Sequence, residues 1–365
     1  MNPDEIFSPE RLALARQRRG LFKQELAARV GVTPRAVSAW EKGERPSDAN
    51  LVSLATVLNF PQSFFFGDAP PILRTPAFRS LARMTARDRD MALAAGSEAV
   101  ALDRWVDGQF QRPDPNIPDL RGVDPESAAE ILRAEWGLGY QPIANFVHRV
   151  EMHGVRVYSL VHDGGQIDAF SDWQGDKPYM FLNTAKTAER GRMDASHELG
   201  HLVLHAHTGG PSSKLEEDQA QAFASAFLMP AKAVIATMPS RITPNTMIDA
   251  KLRWGVSTMA YVYRLWSLGR LSKSVYRSLA IRIRANPAAE PGLRIQRETS
   301  QVLAKVMGQN PAAVRREIVK HLRIPLANLD EITFGLALTP VAGAIRPIGP
   351  ANSNTPSSGR LRLMN

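Results

Sequence analysis

Two histidines four residues apart, with a glutamate beside the first, restrict this chain more than any other feature: His197-Glu198-Leu199-Gly200-His201. On an α-helix, positions i and i+4 share a face, so both imidazoles can reach one cation. Glu198 lies beside them, where it can polarise a water held by that cation. The surroundings suit a helix, with Asp194 as its expected N-cap and Leu199, Leu202 and Val203 as its anchors. A catalytic zinc usually keeps three protein ligands and one open position, so a third ligand is expected. The next helix begins Leu215-Glu216-Glu217-Asp218 and then turns almost wholly apolar, from Ala220 to Pro230, so it must be buried. A carboxylate at the start of a buried helix needs a partner, and a metal would serve. The adjacent Glu216 and Glu217 are both available, and Gly209-Gly210-Pro211 lets the chain reverse between the two helices. His205 continues the stripe but lies about 6 Å further along the axis, too far for the same cation. It is read as structural, and His207 as a loop or surface residue.

A second pattern lies near the N-terminus. Leu12, Leu14 and Ala15 give a first helix its apolar side, and Gly20 stops it. Leu26, Ala27 and Val30 pack a second helix over about 23–30, and Gly31 provides a turn. Thr33 caps a third, with Pro34 at its first position, where the missing N–H costs nothing. Val37 and Trp40 anchor that helix, and small Ala27 and Ala36 allow a close crossing. A fourth helix follows Ser47 or Asp48 and carries Leu51, Leu54, Ala55 and Leu58, and 67–75 reads as a linker.

Between these patterns the chain reads as helices over 79–110, 127–136 and 143–153, with a proline-rich loop at 111–118. The period then changes: Val155–Val161 and Tyr179–Leu182 read as strands, with Gly164-Gly165 as turn material. Helices dominate again from Asp194 to about Arg284, and 341–365 is expected to be a disordered tail.

Composition narrows the chemistry. The 365 residues include no cysteine, which excludes a disulfide scaffold, a cysteine zinc site, an iron–sulfur cluster and a thiol nucleophile. No run of about 18 apolar residues occurs and the acidic start lacks an apolar segment, so a cytoplasmic protein with no membrane contact is expected. The net charge of +9 suits a polyanionic partner, but it is uneven. Residues 1–66 carry 9 basic and 7 acidic side chains, whereas 251–323 carry 15 basic and 3 acidic ones. The latter segment adds non-specific phosphate attraction or forms the charged shell of a helical bundle.

Residues 9–66, with Gln24-Glu25-Leu26-Ala27-Ala28-Arg29-Val30-Gly31 and Val37-Ser38-Ala39-Trp40-Glu41-Lys42-Gly43, resemble the lambda-repressor-like helix-turn-helix of the XRE family. The resemblance implies that the third helix enters the major groove of double-stranded DNA. Arg35 then contacts guanine, Ser38 touches base or phosphate, and Lys23, Thr33 and Lys42 serve phosphates. Phe22-Lys23 departs from the Thr-Gln common in the family, which puts the second helix's cap in question.

Asp194-Ala-Ser-His-Glu-Leu-Gly-His-Leu-Val-Leu-His205 followed by Glu217-x-x-Ala220-x-x-Phe223-Ala224-x-x-Phe227-Leu228-Met229-Pro230 resembles the zinc-peptidase domain of the ImmA/IrrE family. The likeness runs over about 125–285 and takes in Gly154-Val-Arg-Val157, Phe170-Ser-Asp-Trp173, Pro178–Asn183, Trp254-Gly-Val-Ser257 and Tyr263-Arg-Leu265. It implies that His197, His201 and Glu217 bind zinc and that Glu198 is the general base; helical spacing and the family register favour Glu217 over Glu216. Gln221 departs from the usual Asn or Asp that supports a ligand histidine, and Met193 from a common aromatic. Tyr179 is available as an oxyanion donor, and the Met180–Leu182 strand as an edge for an extended substrate, although core packing suits that strand better.

The resulting expectation is an α+β, mainly helical chain: a helix-turn-helix at 1–68, linker and entry helices at 69–124, a zincin-like domain with a small sheet at 125–240, a basic helical region at 241–340 and the tail at 341–365. Such a chain is expected to be a DNA-binding transcriptional regulator whose zinc metallopeptidase domain cleaves a protein partner such as a repressor, in a stress response or similar setting, with a homodimer admitted. The alternative is a non-proteolytic transcription factor that uses the zincin-like domain as a structural or ligand-sensing module. An intact Glu198 favours the enzyme, and Gln221 the alternative.

Overall fold

Capping side chains define the N-terminal unit of the structure, a computed structural model that describes residues 6–73, 85–160, 169–206, 213–285, 295–308 and 310–337. The Gly164-Gly165 turn, the Gly209-Gly210-Pro211 break, His207 and the tail 341–365 lie outside the described residues. Ser8 caps α1 (Pro9–Arg18), Thr33 caps α3 (Pro34–Trp40) and Ser47 caps α4 (Asp48–Leu58), each hydroxyl accepting a backbone N–H of the first turn. Ahead of α2 (Lys23–Val30), where Phe22 has no capping oxygen, the Glu25 carboxylate reaches back and accepts the Phe22 N–H at 2.7 Å. The cap comes from the third helical residue instead of the first flanking one. Gly31, at φ +80°, ends α2 in the left-handed conformation that favours glycine and swings the chain into α3. Leu12, Leu26, Val37, Leu54, Leu58 and Phe65 fill the core, and a bridge between Phe7 and Phe66 ties the unit's two ends.

The long helix α5 (Ala86–Gln109) follows, capped by Thr85. The predicted start near 79 falls outside the described residues, and Thr85 itself is extended. After the proline-rich loop come α6 (Pro125–Glu135) and α7 (Phe146–Met152). The latter starts later than the predicted 143 because the Asn145 side chain accepts the His148 N–H at 2.9 Å and sets the boundary there.

Three strands make one small sheet: β1 (Arg156–Ser159), β2 (Phe170–Gln174) and β3 (Lys177–Leu182), in the order β1-β3-β2. β3 runs parallel to β1, with Val157 opposite Met180, and antiparallel to β2, with Ser171 opposite Met180 from the other side. It is therefore the central strand, and the expectation that Met180–Leu182 forms an edge is corrected: β2 is the outer strand beside the site.

Helix α8 (Ala188–Leu204) packs on β2 and β3, and α9 (Lys214–Leu228) packs on α8 and α6. Asp194 is not the cap of α8. Thr187 caps the helix by accepting the Arg190 N–H, and Asp194 sits inside it, its carboxylate accepting from Lys186 at 2.9 Å. The chain continues through α10 (Ala231–Thr237), α11 (Pro244–Trp254), α12 (Thr258–Ser267), α13 (Lys273–Ala285), α14 (Gln301–Met307), α15 (Pro311–Leu322) and α16 (Leu326–Thr333). No single helix among the described residues is long and apolar enough to cross a membrane.

α16 returns to β1 and α5, where a buried polar knot joins it to the N-terminal unit. Glu98 of α5 accepts from Arg18 Nε at 2.9 Å and from Asn328 Nδ2 at 2.6 Å, and Arg18 also pairs with Glu331. Each charge at this junction is paired, as burial demands.

The α8–α9 contact is equally exacting. A Cβ placed on Gly200 would stand 3.1 Å from the Phe223 ring and 3.2 Å from the Ala220 Cα, so the two helix backbones meet there without a side chain between them. Gly200→Val should lower stability by roughly 2–3 kcal/mol through overpacking, a Tm loss of about 4–10 °C by thermal denaturation.

Candidate functional site

The His197–His201 stripe of α8 faces the first turns of α9. His197 Nε2 and His201 Nε2 stand 3.1 Å apart, and each lies 3.6 Å from an oxygen of Glu217. The ligand atoms of all three residues fall within 4.8 Å of one another. The register between the two glutamates is resolved locally. Glu216 is turned away to the cap, its carboxylate accepting the Ser213 N–H at 2.6 Å, while Glu217 faces the histidines. The cluster is open on one side: His201 is buried, whereas the His197 and Glu217 side chains keep about a fifth of their surface exposed, 19% and 23%.

Glu198 points into the protein beneath this cluster. It is buried and accepts from Ser171 Oγ of β2 at 2.8 Å. Burial pushes its carboxyl up to about 7, against the opposing pull of the His197 charge and the Ser171 hydroxyl. Burial also opposes a charge on His197, but the neighbouring Glu217, Glu198 and Asp194 carboxylates outweigh it and raise that imidazole. His201 goes the other way, pushed well below the ordinary range by burial and by His197.

The remaining nitrogen of His201 is also held. Its Nδ1 lies 3.0 Å from Nδ1 of His205, and His205 Nε2 lies 2.9 Å from Gln219 Oε1. An amide oxygen accepts only, so His205 donates from Nε2 and accepts at Nδ1. His201 must then donate from Nδ1, which leaves its Nε2 lone pair facing the cluster. His205 is thus structural in a specific sense, as the group that orients His201. Gln221 does not support a ligand histidine: it is exposed and its amide donates to the Met193 sulfur at 3.8 Å. Gln219 takes the supporting place. Sequence reasoning missed Gln219 and Ser171; the i+4 stripe through His205 was the available signal for the first, and for the second only its place in the Phe170-Ser-Asp-Trp173 stretch of the resemblance.

Tyr179 is not an oxyanion donor. Its hydroxyl donates to Asp103 Oδ2 at 2.7 Å in a buried network with Tyr158 and Arg112, on the far side of the sheet's packing with α5.

In the N-terminal unit, Arg35 is exposed on the first turn of α3, Ser38 is half-buried one turn on and Lys42 is exposed just beyond its end. The Thr33 hydroxyl accepts the Ala36 N–H at 3.2 Å, so its structural duty is the cap. Lys23 sits at the start of α2 and pairs with Glu41 at 2.9 Å, the same carboxylate that Arg16 holds. Phe22, exposed beside it, lies under the Arg87 guanidinium of α5 at 4.9 Å, and Arg87 also pairs with Glu25 at 2.7 Å.

Comparison with known proteins meets both halves of this geometry. Residues 150–266 match the IrrE N-terminal-like domain, a peptidase-family model, and residues 12–61 match a helix-turn-helix model. Uncharacterized HTH-type transcriptional regulators of Sinorhizobium medicae (strain WSM419) and Rhizobium meliloti (strain 1021) are each 36% identical over 70 residues, 19% of this chain and 50% of theirs. The chain spans about half the length of these curated relatives. It carries an XRE-like helix-turn-helix domain followed by an IrrE/ImmA-like domain of the peptidase family.

Proposed function

We propose that this protein is a DNA-binding transcriptional regulator whose second domain is a zinc peptidase that cleaves a protein partner, such as a repressor. The observation that carries this is the convergence of His197, His201 and Glu217 above a buried Glu198. Donor atoms sharing one tetrahedral zinc at 2.0–2.2 Å stand about 3.3–3.6 Å apart. The spacings of 3.1, 3.6 and 3.6 Å lie close to that triangle. The orientation of His201, whose Nδ1 side is held by His205 and Gln219, adds a second fit.

Zinc held by these three residues would supply Lewis acidity, polarising a peptide carbonyl and lowering the pKa of a water beside it. The chain's own groups supply the rest. Glu198 Oε2 is occupied by Ser171, so Oε1 is the atom left to take a proton from the attacking water and return it to the leaving nitrogen. Burial suits Glu198 to both steps, because a carboxyl near 7 gives up a proton almost as readily as it takes one. The outer side of β2 is the place where an extended substrate can add as a further strand, since β3 is already paired on both sides.

The helix-turn-helix half supports DNA as a partner through exposed Arg35 and Lys42 at the two ends of α3, the helix such domains place in the major groove. Lys23, drawn to Glu41, has to leave that pair to serve a phosphate.

Three measurements test these roles. Glu198→Gln should keep one zinc per chain while a cellular protein that wild type cleaves accumulates uncut; equal cleavage patterns at rest and under stress would assign the domain to a structural or ligand-sensing role. Gln219→Leu should weaken zinc binding by about 10–100-fold in a chelator competition, and Gln221→Leu should leave it unchanged. On a selected operator, Arg35→Ala should cost about 1–3 kcal/mol and relax the base preference, whereas Lys42→Ala should weaken all sequences alike and reduce the salt slope by about 1.

A further inference from the structure

We infer that the exposed cations of α13 form a second contact surface for DNA, one that holds the phosphate backbone without reading base sequence. The inference rests on DNA as the partner of the N-terminal unit. That unit is itself poor in the charge from which affinity for a duplex is drawn. Residues 1–66 carry 9 basic and 7 acidic side chains. Several of these cations are already met: Arg16 and Lys23 hold Glu41, Arg18 holds Glu98 and Arg45 holds Asp48. Phosphate attraction supplies nearly all non-specific binding to DNA, so the remainder is to be sought elsewhere in the chain.

A run of 40 residues, 250–289, contains eight Lys and Arg and no Asp or Glu. Two of the eight are buried and paired with residues outside the run, Lys251 with Glu189 and Arg264 with Glu126. The other six are Arg253, Arg270, Lys273, Arg277, Arg282 and Arg284. All six are exposed, and none forms an ion pair or a side-chain hydrogen bond among the described residues.

Four of them lie on α13, and the helix lines them up. Tyr276, Leu279, Ala280 and Ile283, spaced i, i+3, i+4 and i+7, set its inner face, and the Tyr276 ring stacks on Trp266 of α12 at 4.9 Å. At about 100° per residue, Lys273, Arg277 and Arg284 fall within about 40° of one another and run about 16 Å along one side of the exposed face. Arg282 takes the opposite side. The crown between them holds Ser274, Ser278, Ala285 and one large apolar residue, Ile281. A duplex carries one charge for about every 1.7 Å of its axis, so a stripe of this length meets several phosphates without a register to match. An anionic bilayer fits less well, because an interfacial helix turns a broad apolar face to lipid and that face of α13 lies on α12.

The test titrates the full chain with a selected operator and with a random-sequence duplex between about 50 and 200 mM salt. Each lost phosphate contact reduces the slope of log K against log salt by about 0.9. The triple variant Lys273→Ala, Arg277→Ala, Arg284→Ala should therefore show a slope smaller by about 2.7 on both duplexes. Over that salt range wild type should lose about 40-fold more affinity than the variant, with its base preference unchanged. The charge-keeping triple Lys273→Arg, Arg277→Lys, Arg284→Lys should retain the wild-type slope, which separates charge from any effect on folding. Arg121→Ala, an exposed arginine paired with Asp119, should change nothing. Equal slopes for wild type and the alanine triple would overturn the assignment, as would a charge-keeping triple that loses the slope. Vesicles of anionic lipid and polyglutamate are the rival probes. If the alanine triple loses binding to either while its duplex slopes are unchanged, the surface belongs to that partner instead. An operator read with its base preference intact but with coincident slopes sinks this surface and leaves the helix-turn-helix reading standing. A slope difference on random duplex with no selectable operator does the reverse.

Discussion

Two helix backbones in contact at Gly200 and Ala220 set the chemistry of this molecule. A side chain at position 200 would hold α9 away from α8, and the Glu217 carboxylate would retreat from imidazoles that it now approaches to 3.6 Å. The closeness has a cost. α9 is buried along Phe223, Ala224 and Phe227, so its N-terminal polar groups must all find partners. They do so by dividing the work: Ser213 and Glu216 cap the helix, Glu217 faces the histidines and Gln219 receives His205. Four polar residues within two turns therefore answer to the same tight crossing.

The basic excess of the C-terminal third looks different once its partners are known. Lys251 is buried against Glu189 at 2.9 Å, Arg264 clasps Glu126 at 2.5 Å and Arg315 pairs with Asp330. Arg323 donates to the Ser63 and Phe66 carbonyls of the helix-turn-helix unit at 3.2 Å. These cations hold segments together, and their charge is met internally. What remains exposed is spread along the segment, with Lys273, Arg277, Arg282 and Arg284 on α13 and Arg253, Arg270, Lys305, Arg316 and Lys320 outside it. A charged shell or a phosphate-attracting surface would both draw on the exposed group, and the paired cations serve neither.

Local chemistry was legible in the chain; position in the sheet was not. Gly31, Thr33 and Pro34 specify backbone geometry by themselves, so α2 and α3 could be bounded almost to the residue. The i, i+4 spacing of His197 and His201 likewise fixes a shared face on any helix. β2 was invisible as a strand because it is short and interrupted by Ser171 and Asp172, and the strand order β1-β3-β2 depends on partners distant in sequence. The misjudged cap at Asp194 shows a related limit. Thr187 and Asp194 are both competent N-caps, and only the packing of the extra first turns of α8 decides between them. Ser171 was out of reach for the same reason: a serine becomes notable only when it is found to be buried against Glu198.

The two modules meet through α5, and the bonds along that helix determine how one can influence the other. Its first turn holds α2 through Arg87 and Glu25, and its middle holds α1 through Glu98 and Arg18. Its last turns hold the sheet, where Asp103 receives both Tyr158 and Tyr179, and Asp107 receives Lys177 at 2.7 Å. Asp103 is fully buried and already paired with Arg112, so the lower end of α5 has no inexpensive alternative arrangement. The upper contacts are of a different kind. Arg87 and Glu25 are exposed, and the Arg18–Glu98–Asn328 knot joins three separate segments at the edge of a cavity. The N-terminal unit is therefore held from two sides, by α5 through Arg87–Glu25 and Arg18–Glu98 and by the α15–α16 end through Asn328 and Arg323, so it could change its place only by giving up buried pairs as well as exposed ones.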